Sequence, residues 1–339
     1  MRPNIFNIAT SELSQDAFLA WLIQWADPSN REHDPNLHNC AQDFVRLLIS
    51  CQHEKDIKEI VNVKAGTQWE HIDIWAEIYT STNNFILIIE DKVFASERRD
   101  QLIAYRKIAE EYGIENNLIP VCIYLKTGSE PERTLSQIRA KRYATVSRFH
   151  LLSLFEKHGG ITNQIFKDYL ECIQELEASH QAYQSLPIGK WDGFCWQGFY
   201  QCLEKEAGLE FWGIVNSPGG NSFWNGHFPM ENWNGFPVYL QIEEGDLCFK
   251  IATHPDDIDF EGEFNRGQKR NEWHRILATK AGEAGYLDIC RPERFGSGDY
   301  MTCALIYKEN WLGPNQEIVD KQAVLRNLKK YKEFLLACL

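Results

Sequence analysis

The chain of 339 residues has no apolar run approaching the roughly 20 residues that span a membrane, and it does not begin with a charged-then-apolar leader. A cytoplasmic protein with no membrane partner is the expectation. Paired cysteines are also lacking. The ten cysteines are scattered singly, with no C-x-x-C, which argues against a disulfide framework or a zinc ribbon. Cys122, Cys248 and Cys303 lie within apolar alternation, where reduced thiols pack as small hydrophobes. His33, His38, Cys40, Cys51 and His53 crowd one region, but no pair has the tight spacing of a structural zinc site, so surface and packing roles are expected for them. Positive charge is scarce too: 35 Lys and Arg stand against 48 Asp and Glu, a net charge of −13. A protein gripping duplex DNA along a broad surface is expected to be basic, so any nucleic-acid site here must be a local patch. No internal repeat or low-complexity segment is visible.

What is present is enough for a full core: 44% of residues are hydrophobic and 24% charged, and the length suits two lobes. The informative stretch is 85–105. Residues 85–89 (FILII) form a short unbroken apolar run that reads as a strand buried on both faces. It ends on charge. Glu90 and Lys92, two apart, project from one face while Asp91 points away. A carboxylate and an ammonium at the end of so apolar a strand need partners to offset desolvation, and a metal ion with a scissile phosphate would be such partners. Beyond residue 97 the period turns helical, and Gln101 and Tyr105, four apart, share a face looking back toward the strand end. Upstream, residues 71–80 (HIDIWAEIYT) alternate, with Asp73 on the polar side, and the turn at 81–84 makes a hairpin that brings Asp73 toward Glu90.

An Asp on one strand, Glu90-Asp91-Lys92 on the next, and a helix carrying Gln101 and Tyr105 together resemble the PD-(D/E)XK nuclease superfamily. In particular the chain resembles bacterial members that open on a helix of the type ELSQDAFLAWL, found here at residues 12–22. The resemblance covers roughly the first half of the chain. It implies a restriction-endonuclease-like α/β fold, a mixed central sheet flanked by helices, and makes Glu12 an accessory acid directed at a metal. Without the resemblance, Glu12 reads as capping and dipole compensation on the first helical turn. The chain departs from the family name in having no Pro, with His71 two residues before Asp73, and in carrying a second carboxylate, Asp91, at the variable position, where it could add a ligand or face outward.

Hard oxygen ligands from Asp73, Glu90 and the backbone carbonyl of Asp91 suit Mg²⁺ or Mn²⁺. Lys92 would hold the attacking water or the phosphate, Gln101 would orient that water or the lysine, and Tyr105 would support from behind. Residues 126–148 hold Lys126, Arg133, Arg139, Lys141, Arg142 and Arg148 against Glu130 and Glu132. This is the best candidate for a phosphate-facing patch, centred on Arg139, Lys141 and Arg142; the alternative is a solvated face.

Further elements follow from pattern. Residues 13–25 read as a helix burying Leu13, Ala17, Phe18, Trp21, Leu22 and Trp25. Residues 118–125 read as a strand parallel to 85–90, and 149–154 as a last edge strand. The break at 185–189 divides a nuclease-like core, 1–184, from a C-terminal α+β lobe, 185–339, rich in tryptophan and containing a small antiparallel sheet. Aromatics at 224–233 either stack unpaired bases or pack. The expected function is a metal-dependent endonuclease acting on nucleic acid, DNA first, in a bacterial defence setting; the other readings are a nuclease held inactive in a homo-oligomer or defence assembly until an activating partner protein switches it on, and a catalytically silent nucleic-acid- or protein-binding module on the same fold.

Overall fold

In the computed structural model, which describes residues 2–53, 57–95, 97, 100–216 and 222–339, alternation and apolar runs become a five-stranded mixed sheet. The elements of its unit are α1 (Glu12–Gln24), α2 (Pro35–Ser50), β1 (Ile60–Trp69), β2 (Ile72–Thr80), β3 (Asn84–Lys92), α3 (Gln101–Asn116), β4 (Ile119–Lys126), α4 (Glu132–Ala140), β5 (Ala144–Ser147), α5 (Arg148–Lys157) and α6 (Gln164–Gln181). Strand order follows the chain, β1-β2-β3-β4-β5. The first three strands are antiparallel neighbours, and β4 and β5 add in parallel. His71 is not in a strand. It forms with Glu70 the two-residue turn between β1 and β2, both with positive φ (49° and 67°), which is the primed turn geometry a hairpin's twist favours.

The period of two decides what each face of the sheet meets. Leu87 and Ile89 of β3 join Ile74, Ala76 and Ile78 of β2 in a core shared with Phe18, Phe44, Phe155 and Tyr169 from α1, α2, α5 and α6. Ile86 and Ile88 point the other way, into a smaller core with Leu102 and Ala109 of α3, Tyr124 of β4 and Ile138 of α4. β3 is therefore buried on both faces, and each fully buried Ile or Leu contributes on the order of 1.5–3 kcal/mol.

Residues 149–154 are helical, correcting the expected edge strand. The run FHLLSL satisfies either period, and the capping box in which Ser147 and His150 exchange hydrogen bonds starts α5 there instead. The buried face of α1 also differs from expectation. Leu13 is exposed and Ala17 outward, while Gln15, Asp16, Phe18, Leu19, Leu22 and Ile23 are buried. Two polar side chains thus take core positions, and the next section gives the reason.

The chain splits into two compact units, one of Met1–Glu130 with Thr134–Ala178, the other of Pro131–Arg133 with Ser179–Leu339. The division falls before the break at 185–189, inside the last turn of α6. The second unit contains α7 (Gly193–Ala207), β6 (Phe211–Asn216), β7 (Ser222–His227), β8 (Glu231–Trp233), β9 (Phe236–Glu243), β10 (Asp246–Ala252), α8 (Arg266–Ala284), β11 (Tyr300–Ile306), α9 (Lys308–Trp311) and α10 (Lys321–Ala337). Its strands form an antiparallel sheet ordered β11-β10-β9-β7-β6, with β8 on β9. Phe228 and Trp233 are buried in its core, and Trp224 packs against that core. These rings are structural, which removes them as a base-stacking platform.

β3 and β4 stay joined past their formal ends, since Thr127 N–H donates to Lys92 O at 3.1 Å. Gly128 follows, and a Cβ there would lie 1.9 Å from the carbonyl oxygen of Val93. Gly128→Ala must push the two chain segments apart, at an expected cost of about 1–3 kcal/mol, read as a lower urea midpoint. An unchanged midpoint would show that the contact yields freely.

Candidate active site

The register Ile74↔Ile89 between β2 and β3 carries Asp73 alongside Glu90 on the face that Ile86 and Ile88 share. Asp73 Oδ2 accepts from the Asp91 backbone N–H at 3.1 Å and from the Lys92 ammonium at 3.1 Å. The same ammonium lies 2.5 Å from Glu90 Oε1 and donates to the Asp91 carbonyl at 2.8 Å. Three hard oxygens, from Asp73, Glu90 and the Asp91 carbonyl, thus converge on one cation. Glu90 and Lys92 are 1% and 8% exposed, so solvent screens this arrangement little. Burial, then the neighbouring Asp73, pushes the Glu90 carboxyl up from 4.5 to about 7. For Lys92, burial pulls the pKa down, but Glu90 and Asp73 more than offset it and hold the ammonium above its ordinary range.

Asp91 points to the opposite face, correcting the idea that it could face outward. It is fully buried, and Gln15 Nε2 donates to both its oxygens at 2.7 and 2.9 Å. Gln15 is fixed in turn, because its Oε1 accepts from Thr127 Oγ1 at 3.1 Å and Tyr169 OH at 2.9 Å. Burial first, then Asp16, raises the Asp91 pKa well above the carboxylate range. Asp16, also buried, is raised from 3.8 to about 7 by burial and then by Asp73. Glu12 Oε1 accepts from the Val93 backbone N–H at 2.8 Å. Residues 12, 15 and 16 form one helical face, so the polar side chains that α1 buries all bear on the end of β3. An apolar count along α1 misreads that face.

Lys126 sits beside Lys92 in the β3–β4 register. It is 4% exposed, ion-paired with Glu130 at 3.0 Å, and donates to Ala95 O at 2.6 Å. Burial lowers its pKa. Arg148 is buried as well, on Glu177 and the carbonyls of Thr127 and Gly128. Both ends of the expected basic patch are therefore internal cations, and the patch shrinks to its middle. There Lys141 pairs with Glu97, whereas Arg139 and Arg142 line a cavity toward the other end of β4. Gln101 opens α3 and donates to Tyr105 OH at 3.1 Å, both on the side of the sheet that carries Glu90. His38 is buried with Nδ1 2.8 Å from Trp25 O.

A family model for the PD-(D/E)XK nuclease superfamily matches residues 3–185. The chain belongs to that superfamily. No curated protein and no solved structure matches it. Superfamily members are generally nucleases that hydrolyse phosphodiesters and typically use divalent metals. The first unit of this superfamily member offers a donor set that fits such an ion. Among the described residues no group of three or more His, Cys, Asp or Glu side chains is placed to hold a metal, but two carboxylates and a carbonyl already surround a positive charge. Among the described residues, neither Glu90 oxygen is hydrogen-bonded outside its contacts with Lys92 and Asp73. A hard divalent cation that keeps several waters suits so small a set of oxygens.

The Asp16 shift has a definite consequence for stability. Its folded pKa of about 7 exceeds the ordinary 3.8, so the folded state binds this proton more tightly than the unfolded chain does. Its contribution is fully present below about pH 4 and is lost as pH rises toward about 7. Asp16→Asn should flatten the fall in melting temperature across that window in EDTA. A fall as steep as in the unsubstituted protein would reject Asp16 as a source.

Proposed function

We propose that this chain is a metal-dependent endonuclease that hydrolyses phosphodiester bonds in DNA, with Asp73, Glu90 and Lys92 as its centre. The observation that carries the reading is the convergence of Asp73, Glu90 and the Asp91 carbonyl on the Lys92 ammonium. DNA is the substrate class implied by the likeness to restriction-type nucleases. Asp73, Glu90 and the Asp91 carbonyl are the groups that would hold Mg²⁺ or Mn²⁺, which when bound supplies positive charge against phosphoryl oxygens and lowers the pKa of a bound water.

The chain's own residues do the rest. Lys92 places a buried ammonium where a phosphoryl oxygen gains negative charge, and low exposure makes that charge count. Glu90, whose carboxyl is raised by burial and by Asp73, would have to shed its proton to hold the ion. Glu12 fixes the backbone at Val93 just beyond the motif, acting as a positioning residue. Gln101 orients a water or Lys92 from the start of α3, and Tyr105 steadies Gln101. The enzyme is read as cytoplasmic.

The test is cleavage of plasmid, single-stranded DNA and RNA with Mg²⁺, Mn²⁺ or EDTA, alongside metal titration of each variant. Asp73→Ala and Glu90→Ala should abolish cleavage and weaken metal binding. Lys92→Ala should keep the metal and lose roughly 10²-fold or more in rate. Arginine at 92 should not rescue fully, because its planar fork cannot take the place of a compact ammonium. Glu12→Gln and Gln101→Ala should be milder. Cleavage that survives EDTA or Glu90→Ala would place the chemistry elsewhere, and cleavage of RNA alone would overturn the choice of DNA.

A further inference from the structure

β5 pairs with β4 only from Ile123 onward, with Ile123 opposite Ala144. The first half of β4 therefore has an open edge, which a lone side chain closes. Gln52, just past the end of α2, accepts from Cys122 N–H and donates to Cys122 O, both at 2.9 Å, and its amide also reaches Arg142 O at 2.8 Å. A glutamine in place of a strand satisfies the backbone but leaves space. A cavity of about 590 Å³ opens there between the end of α2, α3 and the turn before β5. That is within the range of roughly 300–1,000 Å³ typical of small-molecule sites.

Among the described residues, three arginines line this cavity, Arg106, Arg139 and Arg142, against one acid, Glu110. Such a balance is unusual in a chain of net charge −13. Arg106 is pre-ordered, donating from Nη1 to Lys141 O at 2.6 Å with Nε 3.3 Å from Glu110. Arg139 is steadied on the Ser136 hydroxyl at 2.9 Å. Arg142 is exposed and has no carboxylate partner among the described residues. Its backbone is left-handed, with φ of 65°, an uncommon conformation for a long side chain. Pro120, Cys122 and Ala144 add an apolar wall. Convergent guanidinium forks recognise phosphate oxygens bidentately, and an apolar wall accepts the face of a base.

The cavity extends from Pro120, about 20 Å back along β4 from Lys126 at roughly 3.3 Å per residue, to Thr145, which stands beside Tyr124 as Tyr124 stands beside Glu90, so its near rim lies two strands away from the carboxylate centre. We propose that this cavity is a binding site for a phosphorylated nucleoside, with Arg106, Arg139 and Arg142 on its phosphates and the apolar wall against its base. The phosphate ester is either a free nucleotide or the end of a nucleic-acid strand.

Calorimetric titration of the full chain in EDTA tests the site without cleavage. The probes are inorganic phosphate, ADP and a 5′-phosphorylated tetranucleotide, with Arg139→Gln/Arg142→Gln, Arg142→Lys and Glu90→Gln as variants. At least one nucleotide probe should bind more tightly than inorganic phosphate. The double variant should weaken that binding by about tenfold or more, Arg142→Lys by less because charge remains without the fork, and Glu90→Gln not at all. Binding of ADP assigns the site to a free nucleotide, and binding of the tetranucleotide alone assigns it to a strand end. The proposal is overturned if no probe binds at millimolar concentration, if binding survives the double variant, or if Glu90→Gln abolishes it. None of these results depends on whether the chain cleaves DNA.

Discussion

The first unit depends on one buried ammonium. Lys92 ends a strand that is apolar on both faces, and a cation there is tolerable only because Glu90, Asp73 and the Asp91 carbonyl surround it. That requirement fixes the pairing of β2 with β3. A slip of one residue would turn Glu90 and Lys92 into the α1 side and bring Asp91 into their place, leaving the ammonium without Asp73. Gln15 prevents the same slip from the other face by holding both oxygens of Asp91. The strand end is thus pinned on both sides, from β2 by charge and from α1 by hydrogen bonds, and Gly128 lets the following chain approach closely enough to keep β4 in step.

The cost of this arrangement is an excess of buried negative charge. Glu12, Asp16, Asp73, Glu90 and Asp91 gather at the end of β3, where Lys92 pairs with Asp73 and Glu90, while Lys126 is already matched by Glu130. Such a cluster can relieve itself in two ways, by taking up protons or by taking up a cation. The raised pKa values of Asp16, Glu90 and Asp91 express the first. Metal uptake, which requires deprotonated ligands, expresses the second. The two compete, so a site of this composition couples occupancy by metal to pH as a matter of charge balance.

The hairpin, the parallel crossover to β4 and the shared face of Asp73, Glu90 and Lys92 were legible in the sequence because strand alternation has a strict period and the turns are short. Gln15 and Asp16 were not, since an apolar count along α1 ranks Leu13 and Ala17 above them, and only the chemistry at the end of β3 explains why polar side chains displace apolar ones. Residues 149–154 failed for a different reason. A short run such as FHLLSL fits both periods, and the cap at Ser147 decides the matter through a histidine, a residue outside the usual capping-box signature. The basic stretch 126–148 read as a surface because sequence gives charge without depth. Lys126 and Arg148 are among the most buried cations of the unit.

That internal use of positive charge bears on what −13 means for function. Cations spent on holding carbonyls and carboxylates inside the fold, as Arg148 does for Thr127 and Gly128 and Arg270 for Thr302 in the second unit, cannot attract a polyanion from solution. Buried acids such as Asp16, Glu77, Glu90, Asp91, Glu130 and Asp168 offset these buried cations, so the surface keeps the acidity of the composition, and long-range attraction of nucleic acid should be weak. Recognition must then be short-ranged, made inside concave places where a few cations are gathered. The centre at the end of β3 and the arginine-lined cavity at the open edge of β4 are two such places, built on the same strand but from opposite devices. One gathers carboxylates around an ammonium, the other gathers guanidinium groups where a strand is missing.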